Sequence, residues 1–493
     1  MNIYKNIILT ISFAFVAAQM QAKDVNVSQL GAIPNSDMLQ SQAFQHAIDE
    51  CSISGGGQVF VPSGEYVVGT LLLKDGVELH LSKGVVLKGS TNHPDDYKSG
   101  RGIIVAKNVK NVAVTGSGTI DGRGYHANFQ RYGNNQGNRP HAIFFEDCQN
   151  AVIKDVNIEN AAWWTVRLFK CDGVRIDGIK IYSHSIVNND GLDIDARNVV
   201  VTNCRIDCDD DGICMKSDDP DFMVENITIT NCIIASNCNP IKFGTSSLCG
   251  FRNIAISNCV IHRPAESNVW DWSKEYREVR KGELTGLSGI AVEAVDGGTI
   301  ENLNFSNISM TGIITPIFIC LNNRKGIGSI RNLVFSNITA KAAGVIPSLI
   351  SGIPGNLISG ITLRDIIVEH VGNGTSEDAQ KPLPENLHGY PENRMYGSHN
   401  PAYGLYVRHA QNVTIDNYQV RVQQPDARPA VVMKDVHGAS VEKLKDFSEF
   451  KPDFLMRLVD CSKFRIEYDV NEGDAATFLK KEGQTIDINL LQQ

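Results

Sequence analysis

The sequence predicts an all-β fold, a right-handed single-stranded parallel β-helix with a short N-terminal cap helix. Two observations carry that prediction. A phrase recurs along the chain: a turn residue, usually Asn, then alternating apolar positions, then Asn or Asp, then a second apolar pair. It reads Asn150-Ala-Val-Ile-Lys-Asp-Val-Asn-Ile, Asn198-Val-Val-Val-Thr-Asn-Cys-Arg-Ile, Asn226-Ile-Thr-Ile-Thr-Asn-Cys-Ile-Ile and Asn253-Ile-Ala-Ile-Ser-Asn-Cys-Val-Ile. Counting the related copy at Gly173, the starts from 150 to 253 lie 23, 25, 28 and 27 residues apart. Alternation at period two, rich in Val, Ile and Thr, specifies short strands. A fixed period near 25 without helices between the strands specifies a solenoid, each coil holding three strands and three turns. Roughly ten coils follow from the number of copies. The leucine frame of the competing solenoid is absent.

The elements follow in order. Lys5 precedes an apolar run from Ile7 to Ala18, and Met20-Gln21-Ala22 follows. Residues 1–22 therefore read as a secretory signal peptide, too short for a membrane span. The mature protein is expected in the periplasm or outside the cell, with no membrane association after signal removal. Gln40 to Cys51 places Ala43, Ala47 and Ile48 at helical spacing just before Gly55-Gly56-Gly57, which suits a cap over the first coil. The solenoid is expected over 23–440, with inserted loops near 262–287 and 373–404. The segment 441–493 lacks the phrase and reads as the C-terminal cap of the same domain. Asn203, Asn231, Asn258, Asn307 and Asn337 recur at one turn and are expected to stack as a hydrogen-bonded ladder.

Composition narrows the function. The chain has 493 residues, a net charge of -9, 42% hydrophobic and 20% charged residues. These are values of a globular protein and not of a disordered one. The acidic balance excludes bulk electrostatic binding of nucleic acid. Cys204, Cys232 and Cys259 share one position in the phrase, so they read as stacked buried thiols and not as pairs. There is no Cys-X-X-Cys pair and no His/Cys cluster at zinc spacing, so no metal and no cofactor is predicted. A capped solenoid is sufficient as a monomer.

The chemistry concentrates between 188 and 219. Asn188-Asn189-Asp190-Gly191-Leu192-Asp193 and Asp209-Asp210-Asp211-Gly212-Ile213-Cys214 both run from acidic residues through Gly into an alternating strand. Aligning the strands sets Asp190 beside Asp211 on neighbouring coils, about 4.8 Å apart. Like charges at that spacing do not all ionise freely, so at least one carboxyl is expected to have a raised pKa. A protonated acid beside ionised partners is what glycoside hydrolysis uses. The acidic residues alone leave a calcium site or a solvated turn open.

The chain resembles glycoside hydrolase family 28, the polygalacturonase and rhamnogalacturonan hydrolase family, whose fold is the pectin-lyase-like solenoid. Gly55-Gly-Gly-Gln-Val-Phe-Val-Pro-Ser-Gly-Glu-Tyr66 and Gly116-Ser-Gly-Thr-Ile-Asp-Gly122 are similar to family segments. The family's Asn-Thr-Asp matches Asn188-Asn189-Asp190, and its Gly-Asp-Asp matches Asp209-Asp210-Asp211. The resemblance implies an inverting hydrolase of pectin, with Asp210 as general acid and Asp190 and Asp211 holding and deprotonating water. Inverting enzymes keep acid and base about 6.5–9.5 Å apart. Two motifs depart. The family's Gly-His-Gly falls at Cys238-Asn239-Pro240, and its Arg-Ile-Lys falls at Ala291-Val292-Glu293. Those cations grip a galacturonate carboxylate beside the scissile bond, and Glu293 would repel it. A neutral leaving-group sugar is expected, which favours rhamnogalacturonan over homogalacturonan.

Other substrate contacts are expected from Asn188, His184, Asn239, Lys216, Lys242 and Arg324. Strand alignment puts Lys242 in the column of Asp193, Cys214 and Ala291, and Lys216 in that of Asp195, Gly244 and Glu293. Either lysine could bind a carboxylate in the non-reducing-side subsite, or pair with an aspartate. Trp270, Trp272 and Tyr276 could stack on sugar or pack on the solenoid. The loop 373–404, with Tyr390-Pro-Glu-Asn-Arg-Met-Tyr-Gly397, is expected to wall the cleft, and a closed end would make the enzyme exo-acting. A non-catalytic carbohydrate-binding solenoid and a calcium-dependent pectic lyase are the competing readings.

Overall fold

A computed structural model describes residues 22–130, 139–269, 271–274, 283–397, 399–469 and 473–492. The signal segment, apart from Ala22, and Trp270 and Tyr276 lie outside them. Among the described residues, no helix is long and apolar enough to cross a membrane.

The period-two pattern becomes parallel strands that pair coil upon coil. The stretch that carries the acidic cluster comprises β1 (Val166–Asp177), β2 (Leu192–Thr202), β3 (Ile213–Ser217), β4 (Val224–Thr230), β5 (Ile241–Ser247), β6 (Gly250–His262) and β7 (Gly286–Asp296). Register is kept from coil to coil: Leu192 opposes Ile213, Ile213 opposes Ile241, and Ile241 opposes Ile290. One column of inward side chains runs through Leu168, Ile194, Met215, Phe243, Val292 and Ile319, all buried. Such columns merge into one continuous apolar core along the axis. Because side chains alternate between faces, the same strands must turn their intervening residues outward. That outward face of β2, β3, β5 and β7 carries Asp193, Cys214, Lys242 and Ala291 in one row, as the sequence alignment predicts.

The turns explain the asparagines. Asn203, Asn231, Asn258, Asn307 and Asn337 all adopt positive φ, between 52° and 59°. Asn tolerates this left-handed conformation better than other side chains. The amides of Asn307 and Asn337 donate to Asn258 and Asn307 at 3.0 and 2.7 Å, so three of the five asparagines form the expected ladder, and the Asn258 amide turns to Thr230 Oγ1 at 3.5 Å. Lower in the column Asn203 donates to Asp177 instead, at 3.0 Å. A second ladder runs from Asn198 through Asn226, Asn253 and Asn302 to Asn332. All twelve cysteines are free thiols, and Cys204, Cys232 and Cys259 are buried.

The N-terminal helix α1 (Ser41–Ile53) buries Phe44, Ala47, Ile48 and Cys51 against the first coils. At the other end the structure departs from the expectation. The segment beyond 440 keeps forming coils: Met456–Val459 pairs with Leu479–Glu482, and Ser462–Tyr468 with Ile486–Gln492, all parallel. The Asn phrase fades there because Asp460 and Lys463 occupy the positive-φ turns, while the alternation that makes the strand persists. The stack accordingly exceeds ten coils.

Asn307 separates the two roles of these turns. Asn307→Gly keeps the conformation and loses the amide, at an expected cost of about 1 kcal/mol. Asn307→Ala adds the left-handed penalty of about 1–2 kcal/mol. Urea denaturation of both variants checks this, and equal losses would count against a conformational role.

Candidate active site

The site forms where acidic turns of successive coils stack. Thr165 N donates to Asp190 O at 2.7 Å, Gly191 N to Asp211 O at 2.9 Å, and Gly212 N to Asn239 O at 2.9 Å. Asp190, Asp211 and Asn239 thus stand in one column, each in the turn that leads into its strand. The glycines after both aspartates are required by the close approach. A Cβ on Gly191 would lie 2.5 Å from Gly212 O, and one on Gly212 would lie 2.6 Å from Pro240 O.

The carboxyls are not equivalent. Asp190, Asp193 and Asp211 are buried, while Asp210 is partly exposed. Asp211 is the best compensated. Burial raises its pKa, but Lys242 at 3.0 Å, the more distant Lys216 and the Asn239 amide at 2.8 Å outweigh this and hold it below the usual carboxylate range. Asp210 is raised, by burial and then by the neighbouring Asp211 charge. Its Oδ1 accepts from Asp211 N at 2.9 Å, and its own N–H donates to Asn189 Oδ1 at 3.1 Å. Asp190 is pushed well up, by burial and by Asp193 and Asp210, against one ammonium, Lys216, 3.4 Å from its Oδ2. Its Oδ1 has no hydrogen-bond partner. Burial lifts Asp193 to about 6 and Glu293 to about 7. The arrangement therefore holds several carboxyls raised by burial, Asp190 and Asp210 among them, beside Asp211, which its partners keep ionised.

Several expected substrate contacts have other work in the structure. His184 is not open to a sugar: Nδ1 meets Asp209 at 3.1 Å and Nε2 meets Asp207 at 3.0 Å, and the ring is buried. The same acids receive the loop expected at 262–287, through Ala265 N on Asp207 and Asn268 N on Asp209. His184 is thus part of a clamp that seats that loop. Lys216 does not remain in the column of Gly244 and Glu293. The register slips between Met215 and Ser217, and its ammonium turns to Asp190 and Asp193, 3.4 Å from each. Lys242 is committed to Asp211, with Glu293 Oε2 at 3.9 Å. Arg324 grips Asp296 through two nitrogens, and Asn188 accepts from Arg139 at 3.2 Å. Asn239 faces Asp211 and so positions a carboxylate. Trp272 is buried and donates to Asn237 O, which is packing. At Ala291 a cluster with Trp272, Leu287 and Phe318 fills the space a larger side chain would need.

Sequence reasoning missed Arg139, Asn189, Trp164 and the particular position of Tyr390. Arg139 is buried and bonds Ala162 O and Val187 O, with Asp190 and Asp210 in its field. Trp164 lies 4.9 Å from Lys216 Nζ. Only Asn189 had a local signal, as the middle residue of the Asn188–Asp190 turn. One group among the described residues could hold a metal ion: atoms of Asp210, Asp211 and Cys238 lie within 4.8 Å of one another, so carboxylate oxygens of Asp210 and Asp211 approach more closely than the roughly 6.5–9.5 Å expected of an inverting acid–base pair. Lys242 already supplies positive charge to Asp211 there.

Comparison with known proteins adds family information. Residues 51–262 match the family model described as Glycosyl hydrolases family 28. A "Probable polygalacturonase" from Vitis vinifera is 27% identical over 231 residues, covering 41% of this chain and 46% of its own length. This chain thus spans about half of that relative. An "Exopolygalacturonase" from Platanus acerifolia is 21% identical over 375 residues, 71% of this chain and 91% of the relative. The structure of an exopolygalacturonase from Thermotoga maritima aligns with a TM-score of 0.57 at 22% identity, over 71% of this chain and 88% of that one. At that identity the structural likeness speaks for the fold, a parallel β-helix.

The His184 clamp makes a pH prediction. Burial opposes its charge, but Asp207 and Asp209 raise its pKa to about 9. A raised folded pKa contributes stability that is complete below the unfolded value of about 6.5 and is lost as pH rises through the folded one. Stability should therefore fall by about 3 kcal/mol between roughly pH 6.5 and pH 9. In His184→Gln that slope should vanish, as read by urea denaturation across the range.

Proposed function

The chain belongs to glycoside hydrolase family 28, and from that premise we propose that it is an inverting hydrolase of pectin acting on galacturonosyl linkages, with rhamnogalacturonan favoured over homogalacturonan. The observation that carries the reading is the unequal partnering of two adjacent carboxyls: Asp211 has the Lys242 ammonium at 3.0 Å and the Asn239 amide at 2.8 Å, which lower it, while Asp210 beside it is raised. Asp210 protonates the glycosidic oxygen as the bond to the anomeric carbon breaks. Asp211, ionised, takes a proton from a water whose oxygen bonds to the anomeric carbon from the face opposite the leaving group, and Asp190 beside it helps to hold that water.

The choice of polymer rests on charge. Lys216, Lys242, Arg167 and Arg324 each already oppose a carboxylate. Glu293 adds a further acid where the family carries a cation. A galacturonate carboxylate beside the scissile bond would meet no uncommitted cation among these groups, whereas a neutral rhamnose needs none. Exo-action is supported by the 373–404 loop, whose Asn393 amide donates to Leu287 O at 2.9 Å and ties that wall to β7. The apolar run before Ala22 supports export. The lyase alternative needs a basic lysine. Burial opposes the charge on Lys216 and Lys242, yet the surrounding anions raise both well above their ordinary value, so they stay ammonium ions.

Asp210→Asn should lower reducing-end release by about 10²–10⁴-fold on any polymer the wild type cleaves. The pH–rate profile should hold on its acid side to below the ordinary aspartate value of about 3.9, because Asp211 is lowered, and fall on its alkaline side as the raised Asp210 deprotonates. Anomeric proton NMR of the first product reads inversion. Near pH 7 and above, where Glu293, lifted to about 7, carries its charge, Glu293→Gln should improve the ratio of polygalacturonate to rhamnogalacturonan cleavage about fivefold to tenfold by removing the repulsion, and well below pH 7 the variant should change the ratio little. Release from polygalacturonate alone by the wild type would overturn the choice of polymer. No release from either would return the binding-solenoid reading.

A further inference from the structure

Tyr390 is the exposed aromatic next to the acidic site. The residue is 57% exposed, yet Lys242 Nζ lies 5.9 Å from the ring centroid and the Thr245 hydroxyl donates to its hydroxyl at 3.1 Å. Lys242 is the ammonium that sits on Asp211. One side of the Tyr390 ring therefore faces the catalytic charge pair and the rest faces solvent. The segment that presents it is fastened on both flanks. Before it, Asn323 N donates to Leu387 O at 3.0 Å, and Asn322 Nδ2 donates to Asn386 O at 3.0 Å. After it, the buried Asn393 amide donates to Leu287 O and to Thr315 Oγ1. A single exposed aromatic is ordinary on a protein surface, and what sets Tyr390 apart is its place against the Lys242–Asp211 pair on a segment fastened at both flanks. The ring is pre-organised for a ligand.

We infer that Tyr390 is a specificity-determining residue, the platform on which the leaving-group sugar stacks, and that it selects a neutral sugar with an apolar face, such as a 6-deoxyhexose. The inference rests on the neutral-sugar reading of that subsite and deepens it. Glu293, enclosed in the structure with its Oε2 3.9 Å from Lys242, acts at that subsite through its charge and not through contact. Buried acid and exposed ring together define the preference. A methyl group packs on the aromatic face, whereas a carboxylate there would not stack and would find Lys242 already on Asp211. Tyr390 lies far along the chain from the aspartates, on an inserted loop, so this selectivity is separable from the acid–base chemistry.

The test is saturation-transfer NMR on the full chain with methyl α-L-rhamnopyranoside, and with methyl α-D-galactopyranosiduronate as the control. The expected result is strong transfer to the rhamnoside C6 methyl protons in the wild type and in Tyr390→Phe, loss of that transfer in Tyr390→Ala, and little transfer to the uronate in any of them. On the polymer the wild type cleaves, Tyr390→Ala should lower kcat/KM about tenfold, chiefly through KM, while Tyr390→Phe stays within about threefold. Absence of methyl transfer in the wild type, or equal transfer in Tyr390→Ala, overturns the inference. So does a Tyr390→Phe loss as large as that of Tyr390→Ala, which would assign the effect to the hydroxyl on Thr245. Cleavage of polygalacturonate alone with the methyl transfer pattern intact would instead overturn the polymer reading and leave the platform standing.

Discussion

Everything in the site follows from stacking two Asp-Gly turns one strand spacing apart. Parallel strands of neighbouring coils sit about 4.8 Å from each other. Glycine at 191 and 212 lets the turns meet at full backbone contact. Four aspartates and the Asn239 amide are then forced into one small volume whose walls exclude much of the water. Burying charge that way is expensive unless each charge has a partner. The lysines on β3 and at the start of β5 meet that demand, and they meet it unequally.

The inequality is what makes the acids different. Asp211 has an ammonium at 3.0 Å and two N–H donors. Asp190 shares a more distant ammonium with Asp193. Asp210 has none within ion-pair distance among the described residues and leans on the Asp211 backbone. The same pairing leaves little positive charge for a substrate. Compensation of the carboxylates takes both lysines, while the Arg139 guanidinium is held by two backbone carbonyls and Asn188. Glu293 pushes the balance further, and the apolar packing around Ala291 closes the space in which a longer cation would sit.

The inserted loops stand on the solenoid through polar clamps and not through strands. Asp207 and Asp209 bind His184 on one side and loop N–H groups on the other, so one buried ion cluster both satisfies the histidine and seats the loop. On the opposite flank the Asn393 amide and the Arg394 guanidinium over Trp272 tie the second loop down. The rigid coil carries the acids, and the clamped loops are held beside them.

The sequence by itself determined the coil. Alternation at period two decides which side of a strand is buried, and asparagine every coil supplies the left-handed turn, so strand identity, register and the row of Asp193, Cys214, Lys242 and Ala291 were all legible. The Asp-Gly turns were legible for the same reason, since they occupy equivalent places in successive periods. The C-terminal coils were hidden where Asp460 and Lys463 took over turns usually marked by Asn. Only the tertiary structure decided the fate of groups outside the period. Arg139 reaches the acids from a loop, Lys216 leaves its column at a register slip, and His184 is consumed by two carboxylates. Tyr390 arrives from a loop remote in sequence. Those outcomes depend on which side chains a loop brings within about 4 Å of a buried charge, and Coulomb interaction at that range is set by distance in space and not by distance along the chain.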